Sequence, residues 1–166
     1  MHASPLNLVL SIVVALVLHE IGHFLAARAC KIRVTEAGFG WGPILFGARV
    51  QGVAYHLRLL PLGAYIRMDM GGLQRRPLSQ QLFVLLAGIA VNFILAAIAW
   101  GSFFGAFNLV LALVNLFPLY QQDGWKSGMI IFRRVLGGPS PMFEWSFTIS
   151  AGLVALALLA CVQFGL

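Results

Sequence analysis

Apolar and polar positions fall into long blocks along this chain. Pro5 to Ala29 is almost uninterrupted apolar sequence and ends among Arg28, Lys31 and Arg33. A bilayer crossing needs about 20 such residues, so this stretch predicts a first span. Leu82 to about Phe104 predicts a second, Phe107 to Pro118 a shorter third that runs into polar residues, and Phe143 to Phe164 a fourth, with Gly101 to Ala106 linking the second and third. Between the first two spans, Lys31 to Ser79 has no helical period. Gly38, Gly40, Gly42, Pro43, Gly47, Gly52, Pro61 and Gly63 punctuate runs rich in Val, Ile, Phe and Tyr, which predicts a small sheet at the membrane surface. Ser79 is placed to cap the second span, and Lys126 to Leu136 reads as an interfacial helix. The expected fold is an all-α membrane protein. It has four transmembrane helices at about 5–29, 82–104, 107–118 and 143–164, a small membrane-associated β-sheet in the loop 31–79, and one domain over 1–166.

Composition supports this pattern. Of 166 residues, 60% are hydrophobic and 10% charged, which excludes an ordinary soluble domain. The net charge of +6 would suit a nucleic-acid partner if the cations were spread over one face. Instead all 11 Lys and Arg fall in two windows, Arg28 to Arg76 and Lys126 to Arg134. Cations flanking apolar spans follow the positive-inside rule, so the expected partner is the lipid bilayer and not nucleic acid. The resulting topology is multi-pass in the cell (inner) membrane, with both windows cytoplasmic and both termini on the other side. No basic region precedes the first apolar run, so that run is expected to stay as a span. Cys30 and Cys161 sit near opposite ends of different spans and are expected to be unpaired.

The candidate chemistry lies inside the first span. His19, Glu20 and His23 form His-Glu-x-x-His, which on a helix sets two imidazoles one turn apart and on one side, where both can hold one metal. A catalytic zinc takes three protein ligands and leaves a fourth position for water, whose proton a nearby carboxylate must accept. Glu20 is the natural base. Ionisable groups within an apolar span are costly, which argues against an accidental motif. For the third ligand, Glu36, His56 and Asp69 in the surface loop are open alternatives. Asp123 is better placed, because Pro118 would break the third span and let the carboxylate turn inward.

With these residues in view, the sequence resembles the site-2 protease family of intramembrane zinc metalloproteases. The resemblance rests on His19-Glu20-x-x-His23, on Pro61-Leu-Gly-Ala-Tyr-Ile-Arg-Met68, on Leu86-Ala-Gly-Ile-Ala-Val-Asn92, and on Asn115-x-x-Pro118 with Asp123-Gly124. It implies one zinc ion held by His19, His23 and Asp123, with Glu20 as catalytic base. It also implies that Asn115, and less directly Asn92, orients substrate or stabilises the developing oxyanion. The implied reaction is cleavage of transmembrane or membrane-adjacent protein substrates, in regulated intramembrane proteolysis. Ile89, Ala64 and Gln122 depart from the family's usual residues, but none is a proposed ligand. About fifty residues between the first two spans leave no room for an inserted PDZ domain, so the chain is expected to be a minimal core. Two other classes compete: a silent scaffold that kept the fold, and a metal transporter. A transporter would want a polar path, and the fourth span offers little beyond Glu144, Ser146, Thr148, Ser150 and Gln163.

The depth of the motif bears on the substrate. His19 precedes Arg28 by nine residues, which puts the metal about 13 Å inside the cytoplasmic end of the span. A helical substrate hides its carbonyls, so cleavage is expected to need local unwinding, with the sheet around Val53 to Met68 accepting the extended segment at an exposed edge.

Overall fold

The computed structural model describes residues 4–164, and these fall into two compact units, one running to Ala112 and the other from Leu113. In the first unit, helix α1 spans Pro5–Ala29. It starts cleanly because Ser4 Oγ accepts from the Asn7 amide at 3.3 Å and Pro5 needs no hydrogen-bond partner at the first helical position. Its buried positions, Ala15, His19, Gly22, His23, Ala26 and Ala27, recur at helical spacing. Around the rest of the cylinder Leu6, Val9, Leu10, Ile21 and Leu25 are exposed, a surface suited to lipid.

Strands β1 (Val34–Val50) and β2 (Val53–Met68) follow. They are joined by the two-residue turn Gln51-Gly52, whose φ values of 49° and 83° are both positive, as the tightest right-twisted hairpins require. Both strands bend. Glu36 to Phe39 pair with Ala64 to Arg67 on one side and face Ala54 to Leu57 on the other, while Ile44 to Val50 pair with Val53 to Arg58. The lateral order is therefore 64–68, 34–39, 53–58, 44–50. Gly40 and Gly42, at φ 94° and 88°, make the bend in β1 possible. Ala54 to Leu57 thus have partners on both sides, and among the described residues 44–50 and 64–68 are paired on one side only. Within the sheet around Val53 to Met68, expected to accept an extended segment at an exposed edge, 64–68 is the part paired on one side only among the described residues.

Helix α2 (Met70–Gln74) leads into α3 (Leu78–Ile98). The sequence pattern places the second span from Leu82, capped by Ser79, to about Phe104. It begins earlier because Pro77 is the N-cap residue, which puts Ser79 inside the first turn. It also ends earlier. Gly101 adopts φ 81°, and Ser102 Oγ accepts from the Gly105 amide at 3.0 Å, starting α4 (Phe103–Leu116). Helix α1 packs on α3 through small residues. A Cβ at Gly22 would fall 2.9 Å from the Ala87 carbonyl oxygen and 2.8 Å from Val91.

In the second unit, the α4 helix stops at Leu116, two residues before Pro118, as the sequence led us to expect. Helix α5 is Asp123–Val135 and α6 is Pro141–Phe164. They are tied by Arg133, whose guanidinium donates to both Glu144 oxygens at 2.7 and 2.8 Å, and by Trp125 Nε1 donating to Thr148 Oγ1 at 2.9 Å. Phe132 packs against Phe143 and Phe147.

Three helices among the described residues, α1, α3 and α6, are long and apolar enough to cross a membrane. Helix α4 is not: its 14 residues reach about 21 Å, short of the ~30 Å hydrocarbon layer. The expected third span is a short apolar helix.

Candidate metal centre

The His-Glu-x-x-His motif lies in the middle of α1, facing α3. His19 and His23 are 6% and 5% exposed, one turn apart, with ring centroids 4.8 Å apart. Each ring is held through its Nδ1. His23 Nδ1 is 2.8 Å from the Val84 carbonyl oxygen, which can only accept, so Nδ1 carries the proton and Nε2 keeps its lone pair. His19 Nδ1 is 3.0 Å from Nδ2 of Asn92, whose side chain is fully buried and whose Oδ1 has no partner among the described residues. An amide presents either its NH2 or its oxygen to the ring. Exchanging the near-isosteric amide nitrogen and oxygen gives the unsatisfied Oδ1 a partner: it then accepts the Nδ1 proton, and the His19 Nε2 lone pair is the one available to a metal.

The two Nε2 atoms are 3.2 Å apart. Two nitrogens bound tetrahedrally to one zinc at ~2.0–2.1 Å are separated by about 3.3 Å, so the pair fits a single zinc ion. Gly88 makes the space. A Cβ there would lie 2.8 Å from His19 Nε2 and inside van der Waals contact of His23 Nε2. Gly88 and Asn92 are one turn apart on the face of α3 that meets the two histidines. Gly88 is not among the site residues expected from sequence. Its spacing four before Asn92 is the one signal that could have flagged it.

Glu20 lines a cavity of about 540 Å³ between α1 and the sheet, with Phe24, Phe39, Phe46, Tyr55 and Leu57 among its walls. The cavity is apolar and large enough for several side chains of an extended peptide.

Two of the alternative third ligands are engaged with each other. His56 Nδ1 is 2.9 Å from Glu36 Oε1, which also accepts from the Tyr65 hydroxyl, while Arg58 and Arg67 lie 3.5 and 3.4 Å from the same carboxylate. The Tyr65 hydrogen bond, then that of His56, holds the Glu36 carboxyl below its usual range. Asp69 sits over Gly71 and Gly72 at the start of α2. In the second unit, Asp123 opens α5, where its charge suits the helix N-terminus, and Lys126 Nζ donates to its Oδ1 at 3.3 Å. Gly124 lets the chain at Leu116 approach this helix start, since a Cβ would collide with the Leu116 carbonyl. Asn115 is half-buried in the last turn of α4.

A helix-borne pair of imidazoles with converging Nε2 atoms, and a carboxylate next in sequence on a cavity wall, is an arrangement able to hold a metal ion. The chain belongs to Peptidase family M50, the site-2 protease family, which it matches over residues 7–107. The metal of that family is zinc. Among its relatives, a Fusobacterium nucleatum protein bearing the name zinc metalloprotease is 36% identical over 88 residues, 48% of this chain and 26% of its own length. An Arabidopsis thaliana protein named as a chloroplastic membrane metalloprotease is 38% identical over 93 residues, 49% of this chain and 21% of its own. A Vibrio cholerae protein, also named a zinc metalloprotease, is 27% identical over 164 residues, 88% of this chain and 35% of its own. The chain thus spans about a fifth to a third of these relatives' lengths. With its apolar helices, family membership makes it an integral membrane protein.

Proposed function

We propose that this chain is an intramembrane zinc metalloendopeptidase that cleaves transmembrane or membrane-adjacent protein segments, in regulated intramembrane proteolysis. The observation that carries this reading is the pair of Nε2 atoms 3.2 Å apart inside an apolar helix pair, with Glu20 next in sequence on the wall of the cavity. His19 and His23 hold the metal, and the sequence motif assigns Asp123 as third ligand. Zinc, when bound, supplies Lewis-acid polarisation to water and to the scissile carbonyl. Glu20 accepts the water's proton and returns it to the leaving amine. Asn115 donates to the developing oxyanion from a neutral amide, and Asn92 acts one step back, holding His19 in its metal-binding tautomer. The substrate enters unwound, as an extended segment in the cavity beside the sheet.

The test is Glu20→Gln in the purified chain. Zinc should stay bound while cleavage of a model membrane substrate falls by about 10²- to 10⁴-fold. His19→Ala, His23→Ala and Asp123→Ala should instead lose zinc. Normal turnover by the Glu20 variant would end this reading. Full zinc occupancy in Asp123→Ala would remove Asp123 from the ligand set.

A further inference from the structure

A second charged site lies where α1 leaves the apolar region. The helix ends with Arg28 in its last turn, and the chain reverses at Lys31, φ 55°, before entering β1. The hairpin turn Gln51-Gly52 returns to the same point. Between them is a cleft of about 250 Å³, with Arg28, Lys31 and Arg33 exposed around it and Ile32, Val34 and Val53 buried beneath it. Arg76 braces the Lys31 turn by donating to the Lys31 carbonyl oxygen at 3.0 Å.

Among the described residues, no carboxylate lies in ion-pair range of Arg28, Lys31 or Arg33. Glu36 is taken by His56, Arg58 and Arg67, Glu144 by Arg133, and Asp123 is paired with Lys126. Three like charges around one cleft repel one another unless an anion joins them. Two guanidinium forks and an ammonium suit the oxygens of a phosphate. The depth selects the source of that phosphate. The 25 residues of α1 extend about 37 Å, enough to cross ~30 Å of hydrocarbon and leave Arg28 to Arg33 at the headgroup plane. Leu25, 61% exposed one turn below, is where an acyl chain would run.

We propose that this cleft binds the phosphate of an anionic phospholipid headgroup, pinning the junction between α1 and the sheet at the membrane surface. The site is separate from the metal centre and does not depend on the protease reading.

The experiment uses the full chain in a neutral detergent and native mass spectrometry. The probes are short-chain phosphatidylglycerol, short-chain phosphatidylcholine, inorganic phosphate and an acidic peptide. Phosphatidylglycerol should bind at least tenfold more tightly than the other three. Each of Arg28→Gln, Lys31→Gln and Arg33→Gln should weaken it about fivefold, and the triple variant roughly a hundredfold. Arg49→Gln, a cation outside the cleft, should have no effect, and the pair Arg28→Lys with Arg33→Lys should keep most of the binding. If the triple variant shows no cooperative melting, the fivefold loss in Arg33→Gln alone carries the test. Unchanged binding in the Gln variants overturns the proposal. So does phosphatidylcholine or inorganic phosphate binding as tightly, or the acidic peptide displacing the lipid.

Discussion

The side-chain amide of Asn92 lies 3.0 Å from Nδ1 of His19, joining α3 to the metal-binding motif across 73 residues of sequence. A partner at the far nitrogen of a ligating imidazole fixes its tautomer and ring orientation. Asn92→Ala should therefore weaken zinc binding about 10- to 100-fold, measured by competition with a chelator, with little change in helix content. Asn92→Asp, which can also accept the Nδ1 proton, should restore most of the affinity. Equal zinc affinity in the Ala variant would show that the contact is only packing.

Gly88→Ala should damage the same centre from the opposite side. Its Cβ would press on both imidazoles, so zinc affinity should fall at least tenfold, with a loss of about 1–3 kcal/mol in stability from overpacking. Gly152→Ala in α6 is the control: no atom lies within 4 Å of the added methyl, and replacing a helical glycine should stabilise by about 0.5–1 kcal/mol. Thermal unfolding and zinc competition on both variants separate the two effects.

The polar cluster on the sheet predicts a pH dependence. The Tyr65 hydroxyl, then His56, holds Glu36 below its usual value of 4.5. Its folded pKa is thus lower than its unfolded one. The stability it contributes is fully present above about pH 4.5 and is lost as pH falls through the depressed value. The difference in unfolding temperature between the natural chain and Glu36→Gln should be constant from pH 7 to about 5 and shrink at lower pH. Tyr65→Phe, which removes the leading cause, should move that loss to higher pH. A difference that grows on acidification would reverse the assignment.

The proposed topology puts both basic windows on the cytoplasmic side. With Cys30 and Cys161 replaced by serine, cysteines introduced at Tyr55 and Ile131 should react only with a reagent supplied from the cytoplasm, and one at Phe103 only from the opposite side. Labelling of position 55 from outside would invert the arrangement.

Short-range periodicity and apolar length were legible in the residues alone. His19, Glu20 and His23 share a helix face because an α-helix repeats every 3.6 residues, and that periodicity is visible without coordinates. Apolar length marked α1 and α6, and the break before Pro118 followed from ring geometry. Tertiary structure decided what depends on residues far apart in the chain. Val84 and Asn92 reach the imidazoles only because Gly22 and Gly88 let two helices approach, and no local pattern encodes which carbonyl or amide will meet which ring. The order 64–68, 34–39, 53–58, 44–50 in the sheet likewise arises from bends at Gly40 and Gly42 that alternation alone does not register. The length of α4 was set by Gly101 and Ser102, whose turn and cap ended one apolar helix and began another within what hydropathy reads as continuous apolar sequence.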